Sequence, residues 1–236
     1  MLGPRGSYPT PRILSLGDQA LTVEFGDRID LAVNDQVLAY AAALERLRLS
    51  GIEEIVPTYR SITIYFDPLT LSSNELTAHL AELFAQPSQR AKRKGASHTI
   101  PVLYGGAAGP DLQDVATHAD LTPEQVVDLH TSVQYRVYML GFSPGFPYLG
   151  TVAEPLIMPR LSTPRKHVPA GSIGLAGAQT GIYPQDSPGG WRIIGRTPLE
   201  LFSVTRKKPF LLQPGDRVKF VPIDVAEFDN LTRDLQ

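Results

Sequence analysis

Five aromatic side chains and four cations stand close together in one stretch of this 236-residue chain. Phe142, Phe146, Tyr148, Tyr183 and Trp191 offer flat apolar walls, and Arg160, Arg165, Lys166 and His167 offer positive charge. Gln179, Thr180, Asp186 and Ser187 add hydrogen-bonding groups. A small-molecule cleft needs this mixture: apolar walls that exclude water and a few polar groups that fix orientation. Arg165 suits a carboxylate or a phosphate, because its planar fork donates hydrogen bonds in pairs. The same residues admit a plainer reading, in which the aromatics fill a barrel and the cations are solvated.

Several familiar motifs fail on mechanism. Gly141-Phe142-Ser143-Pro144-Gly145 matches the nucleophile elbow by letter. That elbow borrows the backbone N–H after its serine for an oxyanion hole, and Pro144 has none. A turn is expected there instead. Nothing matches the phosphate-cradling P-loop. Gly105-Gly106-Ala107-Ala108-Gly109 brings backbone amides together ahead of Pro110, yet reads first as a loop after a strand. Gly171, Gly174 and Gly177 recur every third residue, which suits close backbone approach inside a barrel. The five histidines lack metal-ligand spacing, so no structural metal is expected. His79 falls on the polar side of its helix. His130 lies near a helix end, either as a partner of the C-terminal dipole or as a proton carrier.

The elements that must position these groups fall into two patterns. In the first part, Ala20 to Phe25 reads as a strand, Asp30 caps a helix running to about Arg48, and Ile52 to Thr58 and Ser61 to Phe66 form a hairpin. Ser72 and Glu75 make a capping box for a second helix, and His98 to Tyr104 is again strand-like. Strand, helix, two hairpinned strands, helix, strand is the split βαβ pattern of a ferredoxin-like domain. Gln86 to Ser97 is polar and basic and reads as a solvated linker. Beyond it Pro110 and Pro123 each open a short helix, Thr122 and Gln125 make a capping box, and Tyr135 to Leu140 is a strand. Short strands follow at Ser172 to Ala176, Trp191 to Ile194, Leu199 to Val204 and Arg217 to Val221, the pattern of an all-β barrel or sandwich. The expected fold class is therefore α+β, with a tail over 1–12, an α/β domain over 13–90 and a β domain over 91–236.

Composition sets the outer limits. Of 20 Gly and 21 Pro, 11 of each lie between Gly141 and Gly215, which forbids long helices there. A hydrophobic content of 42% supports a buried core. A net charge of −2 gives no field to draw nucleic acid or an anionic membrane. The absence of cysteine excludes disulfides and thiolate chemistry, and the N-terminal residues lack the apolar run of a signal peptide, so a cytoplasmic location is expected.

Longer blocks of the dense segment resemble a known family. Leu140-Gly-Phe-Ser-Pro-Gly-Phe-Pro-Tyr-Leu-Gly150, Thr163-Pro-Arg165, Val168-Pro-Ala-Gly-Ser172, Gln179-Thr-Gly-Ile-Tyr-Pro184, Ser187-Pro-Gly-Gly-Trp191 and Gly195-Arg-Thr-Pro-Leu199 occur in order. Together they are similar to the KipI family, known both as the first subunit of allophanate hydrolase and as the B subunit of 5-oxoprolinase. The resemblance implies a cyclophilin-like β-barrel after an N-terminal α/β domain. It also implies pairing with a KipA-like C subunit and an A subunit in an ATP-dependent 5-oxoprolinase. On that reading Arg165 holds a substrate carboxylate or phosphoryl oxygen and His130 moves a proton. Gln179, Thr180, Tyr183 and Ser187 orient the substrate, while Phe142, Phe146, Tyr148 and Trp191 enclose it. ATP, with Mg2+, would be shared with the partner, and the isolated chain would be inactive. Two other readings follow from the same resemblance: inhibition of a histidine kinase through the barrel groove, and a carboxyltransferase-type role in urea or allophanate metabolism.

Overall fold

A computed structural model describes residues 6–85 and 95–234, and the chain divides into two compact units, Met1–Lys94 and Gly95–Gln236. The expected boundary was 90/91. The basic stretch of the expected linker, 86–94, lies outside the described residues, as do 1–5 of the expected tail.

In the first unit β1 (Ser7–Ser15), β2 (Ala20–Gly26), β3 (Ile52–Pro57) and β4 (Ser61–Phe66) form one sheet in the order β1-β2-β4-β3, with α1 (Leu31–Leu47) and α2 (Ser73–Ala85). Local chemistry explains the helix starts. The Asp30 carboxylate accepts the N–H groups of Ala32 and Val33 at 2.7 and 3.2 Å, and Ser72 and Glu75 exchange side-chain and backbone bonds ahead of α2. Val33, Val37, Ala41 and Leu44 of α1 meet Leu21, Val23, Ile62 and Ile64 of the sheet in one core.

Two expectations fail here. The strand at 97–104 does not close this sheet as the last strand of a ferredoxin-like unit; it belongs to the second unit. The position beside β2 goes to β1, so Ser7 to Arg12, expected as tail, is strand. Pro9 and Pro11 cannot donate to a ladder, and they are tolerated because β1 is an edge strand with an irregularity between Ser7 and Arg12.

The strands of the second unit are β5 (Ser97–Tyr104), β6 (Tyr135–Leu140), β7 (Pro147–Gly150), β8 (Arg165–Val168), β9 (Ser172–Ala176), β10 (Gln179–Ile182), β11 (Ser187–Gly189), β12 (Arg192–Arg196) and β13 (Arg217–Pro222). Seven of them close a barrel in the order β10-β7-β6-β13-β5-β12-β9. β13 runs parallel to β5 and the other pairs are antiparallel. A separate ribbon pairs β8 with β11. α3 (Leu112–Ala119) and α4 (Pro123–Ser132) pack Leu112, Val115, Ala116 and Val126 against the barrel core, and α5 (Val225–Asp234) follows the last strand. Leu199 to Val204, expected as a strand, makes only the isolated bridge Phe202–Phe210. Leu201 is buried in the barrel core while Val204 is 78% exposed, so the segment is anchored near one end and does not alternate along its length. No helix among the described residues is long and apolar enough to cross a membrane.

Candidate functional site

The expected aromatic walls do come together. Phe146, buried to 1% exposure, is the hub: its ring lies 5.2 Å from Tyr183, 5.3 Å from Trp191, 4.9 Å from Tyr148 and 5.5 Å from Phe142. The contacts to Tyr183, Trp191 and Phe142 are edge-to-face, the arrangement the ring quadrupole favours. Glycines make the room. A Cβ on Gly181 would sit 2.9 Å from the Phe146 ring, and one on Gly174 would sit 2.9 Å from the Trp191 Cβ. The close-approach role expected of the glycine series therefore falls on Gly174, joined by Gly181 on the neighbouring strand.

These rings line a cleft of about 320 Å³ together with Arg160, Pro164, Pro188 and Gly189 at the end of β11, and Gly190 just after it. Its mouth is formed by Phe142, which is 64% exposed and holds a φ of 65°. A bulky side chain in the left-handed region is uncommon, and such strain concentrates where a side chain must be aimed. The turn that imposes it is closed by Phe146 N–H to Ser143 C=O at 3.0 Å and Gly141 N–H to Phe146 C=O at 3.1 Å. The segment is a turn leading into β7, not a nucleophile elbow. Burial pushes the phenols of Tyr148 and Tyr183 above their ordinary value, so both keep their protons. The Trp191 backbone N–H donates to the Tyr183 oxygen and the Arg160 charge lowers both phenols, each opposing burial.

The remaining expected site residues go elsewhere. Arg165 does not line the aromatic cleft; its two terminal nitrogens donate to Asp111 at 2.8 and 2.6 Å. Asp111, 3% exposed, also accepts the Ile193 N–H at 2.6 Å, so the Arg165 fork is already occupied by a buried carboxylate. That bond is the first cause holding the guanidinium above its ordinary value. The pair ties the loop before α3 to β8 and β12. Arg165 instead borders a second cleft, of about 430 Å³, with His167, Arg196, Ala108 and Phe228. There the Arg196 Nε donates to the Ala170 carbonyl at 2.8 Å and His167 meets Asp186 at 3.0 Å.

His130 is fully buried. The Thr180 hydroxyl gives its one hydrogen to the Gly174 carbonyl, so it must accept from His130 Nε2 at 3.0 Å. Nδ1 is then the acceptor for the Tyr104 hydroxyl at 2.8 Å. Stacked 4.6 Å from Phe220, the ring is neutral, and burial lowers its pKa to about 3. Neither His130 nor Thr180 borders either of these two clefts, and both are fully buried, so in this structure His130 is a polar link between α4 and the barrel. Gln179 lies on β10 and borders neither cleft. Ser187 lies on β11, outside the lining of either cleft, and its Oγ is buried with no hydrogen-bond partner among the described residues.

Sequence reasoning missed Asp111 altogether. Gly109-Pro110-Asp111 before a helix signals an N-cap, but the Asp111 side chain makes no cap bond. Its true partner lies 54 residues away, and no local pattern announces it.

A family model described as "Carboxyltransferase domain, subdomain C and D" matches residues 11–212, a span that includes every aromatic of the cleft. The chain belongs to this family. It is 42% identical over 232 residues to the 5-oxoprolinase B subunit of Bacillus subtilis, covering 92% of this chain and 95% of that one. The solved structure of TTHA0988 superposes with a TM-score of 0.78 at 39% identity over 87% of this chain, which spans 40% of that longer chain. The urea carboxylase of Kluyveromyces lactis superposes at 0.76 with 21% identity over 98% of this chain and 24% of that one, a likeness of fold alone.

Proposed function

We propose that this chain is the B subunit of a 5-oxoprolinase, a hydrolase complex that opens the lactam of 5-oxoproline to glutamate. The observation that carries it is 42% identity to a 5-oxoprolinase B subunit along nearly the whole of both chains. The aromatic cleft is the substrate end of the reading. Its volume of about 320 Å³ suits a small ring, and the Phe146, Tyr183 and Trp191 rings exclude water from it. With its oxygen already accepting the Trp191 N–H, the Tyr183 hydroxyl is set to donate its hydrogen to a ring carbonyl.

ATP would supply phosphorylation of the lactam oxygen, which makes an otherwise poorly electrophilic carbonyl carbon open to attack by water. The cations of the second cleft are engaged, Arg165 by Asp111 and Arg196 by the Ala170 carbonyl, and among the described residues no cluster of three or more His, Asp or Glu stands ready for a metal ion. No step is therefore assigned to the nucleotide on this chain. A KipA-like C subunit and an A subunit complete the enzyme, and the isolated chain is inactive. Co-expression with those two partners tests the reading. Glutamate formation and ATP hydrolysis that both depend on 5-oxoproline, and on the presence of this chain, are expected. A complex that hydrolyses ATP with urea but not with 5-oxoproline overturns it.

A further inference from the structure

Among the described residues the aromatic cleft has one charged group in its lining, and that group is Arg160. No carboxylate lines the cleft, and none pairs with Arg160 among the described residues. The contrast with Arg165, the arginine the sequence favours, is chemical. Arg165 has its fork closed on Asp111 and borders the other cleft. Arg160 keeps an open fork against a wall of aromatic rings, close enough to act on the phenols of both Tyr148 and Tyr183.

We infer that Arg160 makes the aromatic cleft a recognition site for small ring carboxylates, binding the carboxylate while the Phe146, Tyr183 and Trp191 rings hold the ring. This rests on the cleft being the substrate end of the enzyme, and it names the group that selects the acid over a neutral lactam. An exposed arginine in water discriminates little, but apolar walls lower the local dielectric and strengthen a charge-assisted, two-point hydrogen bond. The rings leave the ligand no competing cation or anion. Pro164 and the β11 residues Pro188 and Gly189 restrict the backbone of the cleft wall, so the cleft pre-exists the ligand.

Trp191, the only tryptophan in the chain, lies in the cleft wall and reports directly on occupancy. Its emission is to be followed in the full chain during titration with three compounds. These are 5-oxo-L-proline, cyclopentanecarboxylate (the acid without the lactam) and 2-pyrrolidinone (the lactam without the acid). Both acids are expected to bind about 10- to 100-fold more tightly than 2-pyrrolidinone. In Arg160→Gln the acids fall to the affinity of 2-pyrrolidinone, whose own binding is unchanged, while Arg160→Lys retains part of the preference. Unfolding by urea is expected to be the same in all three proteins, since Arg160 is exposed. Equal affinity of wild type and Arg160→Gln for the acids, including no emission change in either, overturns the inference.

The KM for 5-oxoproline in the reconstituted complex separates this inference from the functional reading. An unchanged KM in Arg160→Gln with normal turnover sinks the Arg160 assignment and leaves the function standing. Arg160-dependent acid binding in a chain whose complex does not turn over 5-oxoproline sinks the function and leaves the carboxylate site.

Discussion

Acid should weaken this protein at His130, and burial of the ring gives the sign and the scale of the effect. The imidazole is buried, has no charged neighbour among its ring and hydrogen-bond partners, and titrates at about 3 when folded against 6.5 as a free side chain. Between those values the unfolded chain binds a proton that the folded chain refuses, so stability is complete above about pH 6.5 and is lost progressively as pH falls toward 3. Lowering the pH from 7 to 5 should remove about 2 kcal/mol through this group alone, and each further unit about 1.4 kcal/mol. Urea unfolding followed by Trp191 emission reads the barrel unit, which contains the only tryptophan. The comparison is with His130→Gln, whose amide can still meet Tyr104 and Thr180 but cannot be protonated. At pH 7 the variant should be less stable by about 1–3 kcal/mol, because it loses the ring stacked on Phe220. By pH 4 the gap should close, since only wild type pays for the buried imidazole. Every other residue is common to the two proteins and drops out of the difference. An identical acid slope in the two proteins would refute the reasoning. A sealed His130 also implies near-normal turnover of the folded variant at pH 7; a loss of 100-fold or more without loss of stability would restore it as a proton carrier.

Two further predictions concern the scaffold around the clefts. Arg165→Met should destabilise the barrel unit by about 3 kcal/mol, because it strands the buried Asp111 carboxylate with the Ile193 N–H as its remaining donor. Adding Asp111→Asn should recover part of that loss in a double-mutant cycle read by urea unfolding, and strict additivity would show that the pair is not coupled. Gly181→Ala places a methyl 2.9 Å from the Phe146 ring and 3.0 Å from the Pro147 carbonyl, so it should cost about 1–3 kcal/mol. It should also shift Trp191 emission as Phe146 is pushed toward Trp191; unchanged emission and stability would show that the ring cluster has slack.

What the sequence determined was whatever is written within a few residues. The Asp30 cap, the Ser72–Glu75 and Thr122–Gln125 boxes and the apolar face of α1 each place their helix, because a cap and a 3.6-residue period act inside one or two turns. The alternation of Ile62, Ile64 and Phe66 marked β4 for the same reason. The aromatic block was legible too, as its glycine and proline spacing leaves room for little but tight turns. Tertiary structure decided everything that depends on which distant segments meet. Ser97–Tyr104 has the same strand character for either unit, and its pairing with β13 on one side and β12 on the other assigns it to the barrel. Arg160 and Arg165 look alike in sequence, five residues apart; Asp111 closes one of them and leaves the other open to the cleft. His130 and Thr180, 50 residues apart, carry the polar groups of an active site but meet inside a sealed core. A side chain's chemistry is local, but its accessibility and its partner are set by packing between segments far apart in the chain, which no short pattern encodes.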